Sequence, residues 1–351
     1  MNELILNKKK LLRGLVISIL IGIITILFVF FITTNQETWA SLSSINKNYI
    51  ILAFVAMLFA AIIDALRIKT AVEAVNEKIS FLEALKIYYI SNFVGGITPF
   101  FSGTLPTQIY LFNKNIQHTM PLGKATMVAT IIPVLKTIVF TVFAPIIFFS
   151  FRKTITNYNT LPLILINTAI LFSLLVLFLF FISVKYPQKM IKVIHKIQNL
   201  SCLSIFFKNK KVLFFSNKLI IEIKEFQQSF NLLKENWIKI SLSMFFTIIF
   251  WGTFFTIAPL ILWGLGIKFN LSHILLMQII FYFILPYMPT PGGSGTAEVS
   301  FASLFSFFVP NYLLGLFVSI WRFIFFYFNL IIGLIVISLE IKKMKVRERK
   351  K

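Results

Sequence analysis

Long apolar runs, separated by short polar or basic segments, dominate the pattern of this chain. Each of the longest runs approaches or exceeds the roughly 20 residues that an α-helix needs to cross the hydrocarbon of a bilayer. Six such runs occupy residues 13–34, 49–66, 124–150, 161–184, 238–264 and 312–338. The pattern predicts an all-α polytopic membrane protein with about six transmembrane helices, in a single integral membrane domain over residues 1–340.

Two further apolar segments, 81–113 and 272–308, are interrupted by proline and glycine. The interruption reads TPFFSGT at 98–104 and TPGGSGT at 290–296, so five of seven positions match at an offset of 192 residues. Proline stops an incoming half-helix and glycine permits a turn, and we expect serine or threonine to cap the outgoing half-helix. Each segment is therefore predicted to form a broken-helix hairpin around an elbow.

The two hairpins are predicted to be re-entrant and to face each other in opposite orientations. Non-helical backbone is tolerated at membrane depth only where protein or water covers it. Paired broken helices in opposite orientations are typical of inverted-repeat transporters, whose binding site lies near the bilayer midplane. The first repeat is predicted at about 49–150 and the second at about 238–338.

The distribution of charge adds an orientation to this pattern. The chain carries 34 Lys and Arg against 12 Asp and Glu, a net charge of +22. Basic residues cluster at the N-terminus, in the middle segment 185–236 and in the tail 341–351. These parts, and with them both termini, are predicted to be cytoplasmic and to contact anionic inner-leaflet lipid of the cell membrane.

The middle segment is too polar to span the membrane. Its stretch QKMIKVIHKIQNL, at 188–200, is predicted to be an amphipathic helix on the inner leaflet, with a partner-binding helix as the alternative. The basic clusters contain no aromatic-interleaved nucleic-acid motif, so no nucleic-acid partner is expected.

The elbows carry the first candidate chemistry. Each outgoing half-helix is predicted to point its N-terminus at the midplane, where backbone amides and the helix dipole favour an anion such as phosphate. The alternative is that TPxxSGT is only a structural turn. The two interpretations are compatible, because a turn must exist before it can bind a ligand.

Ionisable side chains within the spans are the second candidate chemistry, because a charge at this depth is costly. Arg322 and Lys136 are predicted to contact a lipid phosphate, with Glu298 orienting Arg322. The alternative is that Glu298 and Arg322 form a buried structural pair. Asp64 and Arg67 lie three residues apart within pairing reach, and a structural pair at a wet span end is the favoured interpretation for them.

Two stretches of the sequence resemble those of a known family. The stretch PYMPTPGGSGTAEVSF at 286–301, followed by Arg322, resembles the flippase-like transmembrane region of the lysyl-phosphatidylglycerol synthases. The stretch 92–114, NFVGGITPFFSGTLPTQIYLFNK, resembles the first-half motif of stand-alone members of that family. The resemblance implies movement of a phospholipid or a polyprenyl-phosphate-linked lipid between leaflets, with membrane lipid as the substrate.

The resemblance also has departures. Thr104 and Pro106 stand where many members carry an acid, and Pro133 and Lys136 stand where an Arg follows. No soluble synthase domain follows Glu340, so aminoacyl transfer and enzymatic activity are not expected. The candidate binding residues, from motif and resemblance together, are Thr98, Pro99, Ser102, Gly103, Thr104, Gln108, Tyr110, Lys136, Pro291, Gly292, Gly293, Ser294, Gly295, Thr296, Glu298 and Arg322.

Two other functions are compatible with parts of the sequence. A secondary transporter of a small anion or ion is the main alternative, although the 16% aromatic content favours a lipid. GGSG at 292–295 matches the GxSG of intramembrane serine proteases, but none of the three histidines lies in a setting that suggests a base for Ser294. The single cysteine and the lack of HExxH, CxxC or P-loop motifs predict no metal and no cofactor.

Overall fold

The structure is a computed structural model that describes residues 8–114, 120–155, 160–188 and 210–348. Within these ranges every regular element is helical. The first half contains α1 (Lys8–Thr33), α2 (Gln36–Leu42), α3 (Lys47–Glu73), α4 (Phe81–Gly96), α5 (Thr104–Asn113), α6 (Leu122–Ile155) and α7 (Thr160–Lys185). The second half contains α8 (Lys210–Glu235), α9 (Trp237–Phe255), α10 (Ile257–Gly264), α11 (Leu271–Ile284), α12 (Thr296–Phe305), α13 (Asn311–Arg322) and α14 (Phe328–Glu348).

The predicted all-α polytopic membrane fold is confirmed. Four stretches of the described chain are long and apolar enough to cross a membrane: Lys47–Glu73, Leu122–Phe143, Trp237–Gly264 and Asn311–Lys342. They coincide with four of the six predicted spans. The last of them is continuous through a π turn at Phe323–Tyr327, which joins α13 to α14.

The other two predicted spans differ from a simple straight helix. The first, 13–34, lies in α1, and its part Ile19–Thr33 qualifies as a span together with α2, from which it is bent by 109°. The span at 161–184 coincides with α7, whose described apolar part, Ser173–Lys185, is a shorter helix. The predicted amphipathic helix at 188–200 lies outside the described residues from position 189 onward.

Each predicted hairpin is a helix, a break and a second helix. The incoming helices α4 and α11 begin at side-chain caps, where Ser80 Oγ accepts from the Glu83 amide at 3.2 Å and Asn270 Oδ1 accepts from the Ser272 amide at 3.0 Å. The outgoing helices α5 and α12 are both ten residues long and begin at Thr104 and Thr296, positions related by the offset of the sequence repeat. The repeat seen in seven residues therefore extends to the elements around it.

The two elbows meet each other directly. Pro99 and Pro291 form an antiparallel β-bridge, and the Phe100 amide donates to the Met288 carbonyl at 3.1 Å. An antiparallel contact between equivalent prolines is the arrangement expected of hairpins that enter from opposite directions. The contact brings the non-helical backbone of both repeats to one point. The second elbow is buried there at Gly292–Ser294, whereas Pro99 and Phe100 of the first elbow are exposed.

The expected serine or threonine caps are wrong. The residues that precede α5 and α12 are Gly103 and Gly295, and Thr104 and Thr296 are already helical. Glycine stands before α12 because its backbone has a φ of 88°, in the left-handed region that residues with a Cβ avoid. Side chains from elsewhere bind the exposed amides instead: Thr98 Oγ1 accepts from the Gly103 amide at 2.9 Å.

Small residues set the packing around the hairpins. Buried alanines on α3, among them Ala53, Ala60 and Ala61, let this helix pack closely along α9. Ser243 of α9 donates through its Oγ to the Arg67 carbonyl at 3.2 Å, which fixes the register of the two helices. The α3 segment that carries Asp64 and Arg67 is thus held against the second repeat.

Candidate functional site

A buried ionic cluster holds the second elbow. Arg322 Nε lies 2.8 Å from Glu298 Oε1, and both side chains are 0% exposed. The same guanidinium donates through Nη2 to the Gly292 carbonyl at 2.9 Å and to Ser294 Oγ at 3.2 Å. Its Cζ lies 3.9 Å from the ring centroid of Phe326. We call these five residues the second-elbow cluster.

The local sequence explains why the cluster forms. Glu298 is the third residue of α12, a position from which its Oε2 accepts from the Gly295 amide at 2.8 Å. Arg322 ends α13 and faces the elbow across the hairpin. A carboxylate of the chain itself therefore occupies the N-terminus of α12, where the sequence predicts an external anion. Gly22 of α1 closes the cluster, since an added Cβ there would lie 3.4 Å from Glu298 Oε1.

A cavity of about 580 Å³ lies beside the cluster, between the two repeats. The first elbow contributes Phe100, Phe101 and Ser102 to its wall, and other walls come from α3, α4, α5, α6, α9, the π turn and α14. Most of the lining is aromatic or aliphatic. The charged and amide-bearing side chains in the lining are Asp64, Arg67, Asn92, Gln108, Lys136 and Asn329.

Some of the predicted binding residues line the cavity, and the others lie around it. Four of them line the cavity: Ser102, Thr104, Gln108 and Lys136. The others lie outside its lining, in the elbows and helices around it: Thr98, Pro99, Gly103, Tyr110, Pro291, Gly292, Gly293, Ser294, Gly295, Thr296, Glu298 and Arg322. Phe326 connects the cavity with the second-elbow cluster, because it lines the cavity and its ring lies under the guanidinium of Arg322.

Lys136 projects into an aromatic corner of the cavity. Its Nζ lies 4.6 Å from the ring centroid of Trp251 and 5.1 Å from that of Phe140. Its Nζ donates to the Tyr282 carbonyl at 3.5 Å, the upper limit for such a bond. Among the ion pairs of the described residues none includes Lys136. The ammonium is therefore held by rings rather than by a carboxylate.

The sequence interpretation missed the place of Asp64 and Arg67. They form an ion pair one helical turn apart on α3, as expected, but both are buried and both line the cavity instead of a wet span end. Arg67 Cζ lies 5.1 Å from the ring centroid of Phe250 on α9. The available signal was the run of small residues before Asp64, which indicates that this face of α3 is packed against another helix.

The structure disfavours the serine-protease interpretation. Ser294 is fully buried, and its Oγ accepts from the guanidinium of Arg322, a group of N–H donors that offers no acceptor to serve as a base. Among the described residues, no group of three or more His, Cys, Asp or Glu side chains is placed to hold a metal ion.

Comparison with known proteins agrees with the fold. The family model described as the lysylphosphatidylglycerol synthase TM region matches residues 14–333. A UPF0104 membrane protein of Archaeoglobus fulgidus is 26% identical over 334 residues, which cover 94% of this chain and 98% of the relative. A second UPF0104 membrane protein, from Pyrococcus horikoshii, is 23% identical over 293 residues, 82% of this chain and 85% of the relative.

Proposed function

The chain belongs to the lysylphosphatidylglycerol synthase TM region family, and from this membership and the cavity between its repeats we propose that it moves a lipid between the two leaflets of the cell membrane. The lipid is a phospholipid or a polyprenyl-phosphate-linked lipid. Its headgroup enters the cavity, and its acyl or prenyl tails stay in the bilayer.

The cavity is the observation that carries this proposal. Its volume of about 580 Å³ lies within the range of small-molecule pockets and suits a headgroup, but not a whole lipid. Its few polar groups lie within apolar walls, which would tolerate the first methylenes of the tails. Phe100 of the first elbow is 54% exposed and lines the cavity, so an apolar surface leads from the outside of the protein to the headgroup site.

The two elbows have different roles in the proposed movement. The second elbow is fixed by Arg322 and Glu298, which are engaged by the chain itself, so the proposal gives them a positioning role. The first elbow faces the headgroup and is joined to the second by the Pro99–Pro291 contact. A change in that contact would open the cavity to one leaflet or the other, as alternating access requires.

Leaflet exchange in proteoliposomes tests the proposal. Fluorescent phospholipid in the inner leaflet is protected from an added reductant until it reaches the outer leaflet, so the protein should accelerate the loss of the protected fraction. Protein-free vesicles and vesicles with an unrelated helical membrane protein are the controls. Equal rates in all three preparations would exclude lipid movement by this chain alone.

The alternative of a small-anion transporter uses the same cations. Its test is uptake of radiolabelled inorganic phosphate into the same vesicles. Uptake without leaflet exchange would favour the alternative, and leaflet exchange without uptake would favour the lipid.

A further inference from the structure

We propose that the cavity selects a headgroup of net negative charge, whose phosphate is held between Lys136 and Arg67 while Asp64 acts as the resident counter-ion. This inference rests on the proposed function and deepens it, because it names the charge class of the substrate. The ligand chemistry is a phosphate anion, whether it belongs to a lipid or is free.

The wall of the cavity carries an excess of positive charge. Three charged side chains line it: Arg67, Lys136 and Asp64. Asp64 is already paired with Arg67 on the same helix. One positive charge, that of Lys136, is therefore left over, and the two aromatic rings beside it compensate it only in part. An unbalanced buried charge is costly, so the cavity favours an anion.

The wall of the cavity also carries buried hydrogen-bond donors. Arg67 and Trp251 are 7% and 8% exposed, and both line the cavity. Arg67 Nε and Trp251 Nε1 have no hydrogen-bond partner among the described residues. Buried donors without acceptors are rare in native proteins. A phosphate would supply several acceptor oxygens at once, and a guanidinium binds them with matching geometry.

Headgroups of different net charge suit this wall to different degrees. A phosphodiester that carries a neutral alcohol brings one negative charge, which balances the excess positive charge of the wall. A zwitterionic choline headgroup brings an additional cation, and the carboxylate of Asp64 is engaged by Arg67. A headgroup with a net positive charge would meet Lys136 and Arg67 directly. The order of preference is therefore anionic, then zwitterionic, then cationic.

Binding of short-chain lipids tests the inference without requiring transport. The full-length protein in detergent is titrated with dioctanoyl phosphatidylglycerol, dioctanoyl phosphatidylcholine or inorganic phosphate, and the melting temperature is followed. We expect half-saturation by phosphatidylglycerol at a concentration roughly tenfold below that for phosphatidylcholine, since the tails are identical and the charge differs. Lys136→Gln should abolish the difference and Lys136→Arg should retain it.

Two further variants separate this site from general electrostatics. Lys124→Gln removes a positive charge from the same helix, α6, but Lys124 pairs with Glu77 and does not line the cavity, so the preference should remain. Asp64→Asn removes the resident anion and should strengthen phosphatidylglycerol binding. A preference that disappears equally in Lys124→Gln and Lys136→Gln would overturn the inference.

The remaining outcomes are distinguishable from a failure of the proposed function. Equal binding of both lipids, together with leaflet exchange of both, would overturn the charge selectivity and leave lipid movement standing. Lys136-dependent binding of phosphatidylglycerol without leaflet exchange would support the charge selectivity and overturn the proposed lipid movement. Binding of inorganic phosphate as strong as that of phosphatidylglycerol would support the anion site and identify free phosphate, rather than the lipid, as its source.

Discussion

The two elbows of this protein share a turn but differ in what surrounds it. At matching positions, Phe100 and Phe101 of the first elbow have φ of 56° and 50°, and Gly292 and Gly293 of the second have 60° and 68°. The backbone is thus left-handed at both places. Glycine adopts it without strain, whereas a residue with a Cβ pays roughly 1–2 kcal/mol.

The surroundings differ more than the turns. At the repeat offset, Pro106 and Thr130 stand in the first half where Glu298 and Arg322 stand in the second. The first elbow therefore lacks the counterpart of the Glu298–Arg322 pair, and its Ser102 is exposed while the matching Ser294 is buried. The second elbow is therefore held in place by buried contacts, whereas the first elbow has a strained backbone and lines the cavity. Strained backbone of this kind concentrates at functional sites.

The largest expected contrast between the elbows is in their chemical accessibility. In a variant whose native cysteine is replaced, Cys202→Ser, a cysteine introduced as Ser102→Cys should react readily with a water-soluble maleimide. The same change at Ser294 should react on the order of a hundredfold more slowly, because that side chain reacts only during local opening.

Labelling in sealed vesicles from each side would also test the predicted orientation with both termini cytoplasmic. Denatured samples are the control for intrinsic reactivity. Comparable rates at the two positions in the folded protein would remove the distinction between a fixed and an accessible elbow.

The next largest effect is on stability at the second-elbow cluster. Arg322→Ala leaves Glu298 as a buried acid without its cation and should lower the free energy of unfolding by about 3–5 kcal/mol. The double variant Glu298→Gln with Arg322→Gln removes both charges and should recover most of that loss. Melting curves or denaturant unfolding in detergent would measure both.

Lys239→Ala provides the matched control, because it breaks an exposed pair with Glu73 and should cost at most about 1 kcal/mol. Leaflet exchange by the double variant separates two roles for the pair. Exchange at the parental rate supports a positioning role, and a stable variant without exchange would indicate that Arg322 contacts the substrate itself.

These contrasts also show which parts of the molecule were predictable from the sequence. The elbows were predictable, since proline and glycine act on the backbone of their own segment. The Glu298–Arg322 pair was foreseen as one of two alternatives, because a deep charge needs a partner. The residues that cap the outgoing helices were not predictable. The hydrogen bonds at these helix ends depend on the conformation of the turn, as in the bond from the Gly103 amide to Thr98 Oγ1.

The position of the cavity was the least predictable feature. It depends on the long-range contact between Pro99 and Pro291 and on the packing of α3 against α9. The small residues of α3 indicate that it packs against a helix, but not which helix that is. For the same reason, the sequence alone predicts Asp64 and Arg67 at a wet span end, whereas both line the buried cavity. Nothing within α3 alone indicates that Lys136 lines the same cavity.

A smaller effect is expected from placing alanine at the matching positions of the two elbows. At Gly292 a Cβ would lie 2.5 Å from the Gly96 carbonyl oxygen and would also overlap the ring of Phe326, on a backbone with positive φ. Gly292→Ala should therefore lower the free energy of unfolding by about 2 kcal/mol or more. Phe100→Ala keeps a Cβ on the equivalent backbone of the first elbow. It should change the free energy of unfolding by less than about 1 kcal/mol. Equal losses in the two variants would mean that the elbows are equally constrained.

The smallest effect concerns the strain of the first elbow. Phe100→Gly removes the left-handed penalty of roughly 1–2 kcal/mol but adds roughly 0.5–1 kcal/mol of backbone entropy to the unfolded chain. The net result should be a slight gain in stability, of about 0.5 kcal/mol, measurable as a rise in melting temperature. Leaflet exchange should nevertheless slow, because Phe100 is 54% exposed and forms part of the cavity wall beside the headgroup. Phe307→Gly is the control, since Phe307 is 58% exposed and lies outside the cavity lining. If Phe100→Gly destabilises the protein and leaves exchange unchanged, the strained first elbow has a role in folding and none in transport.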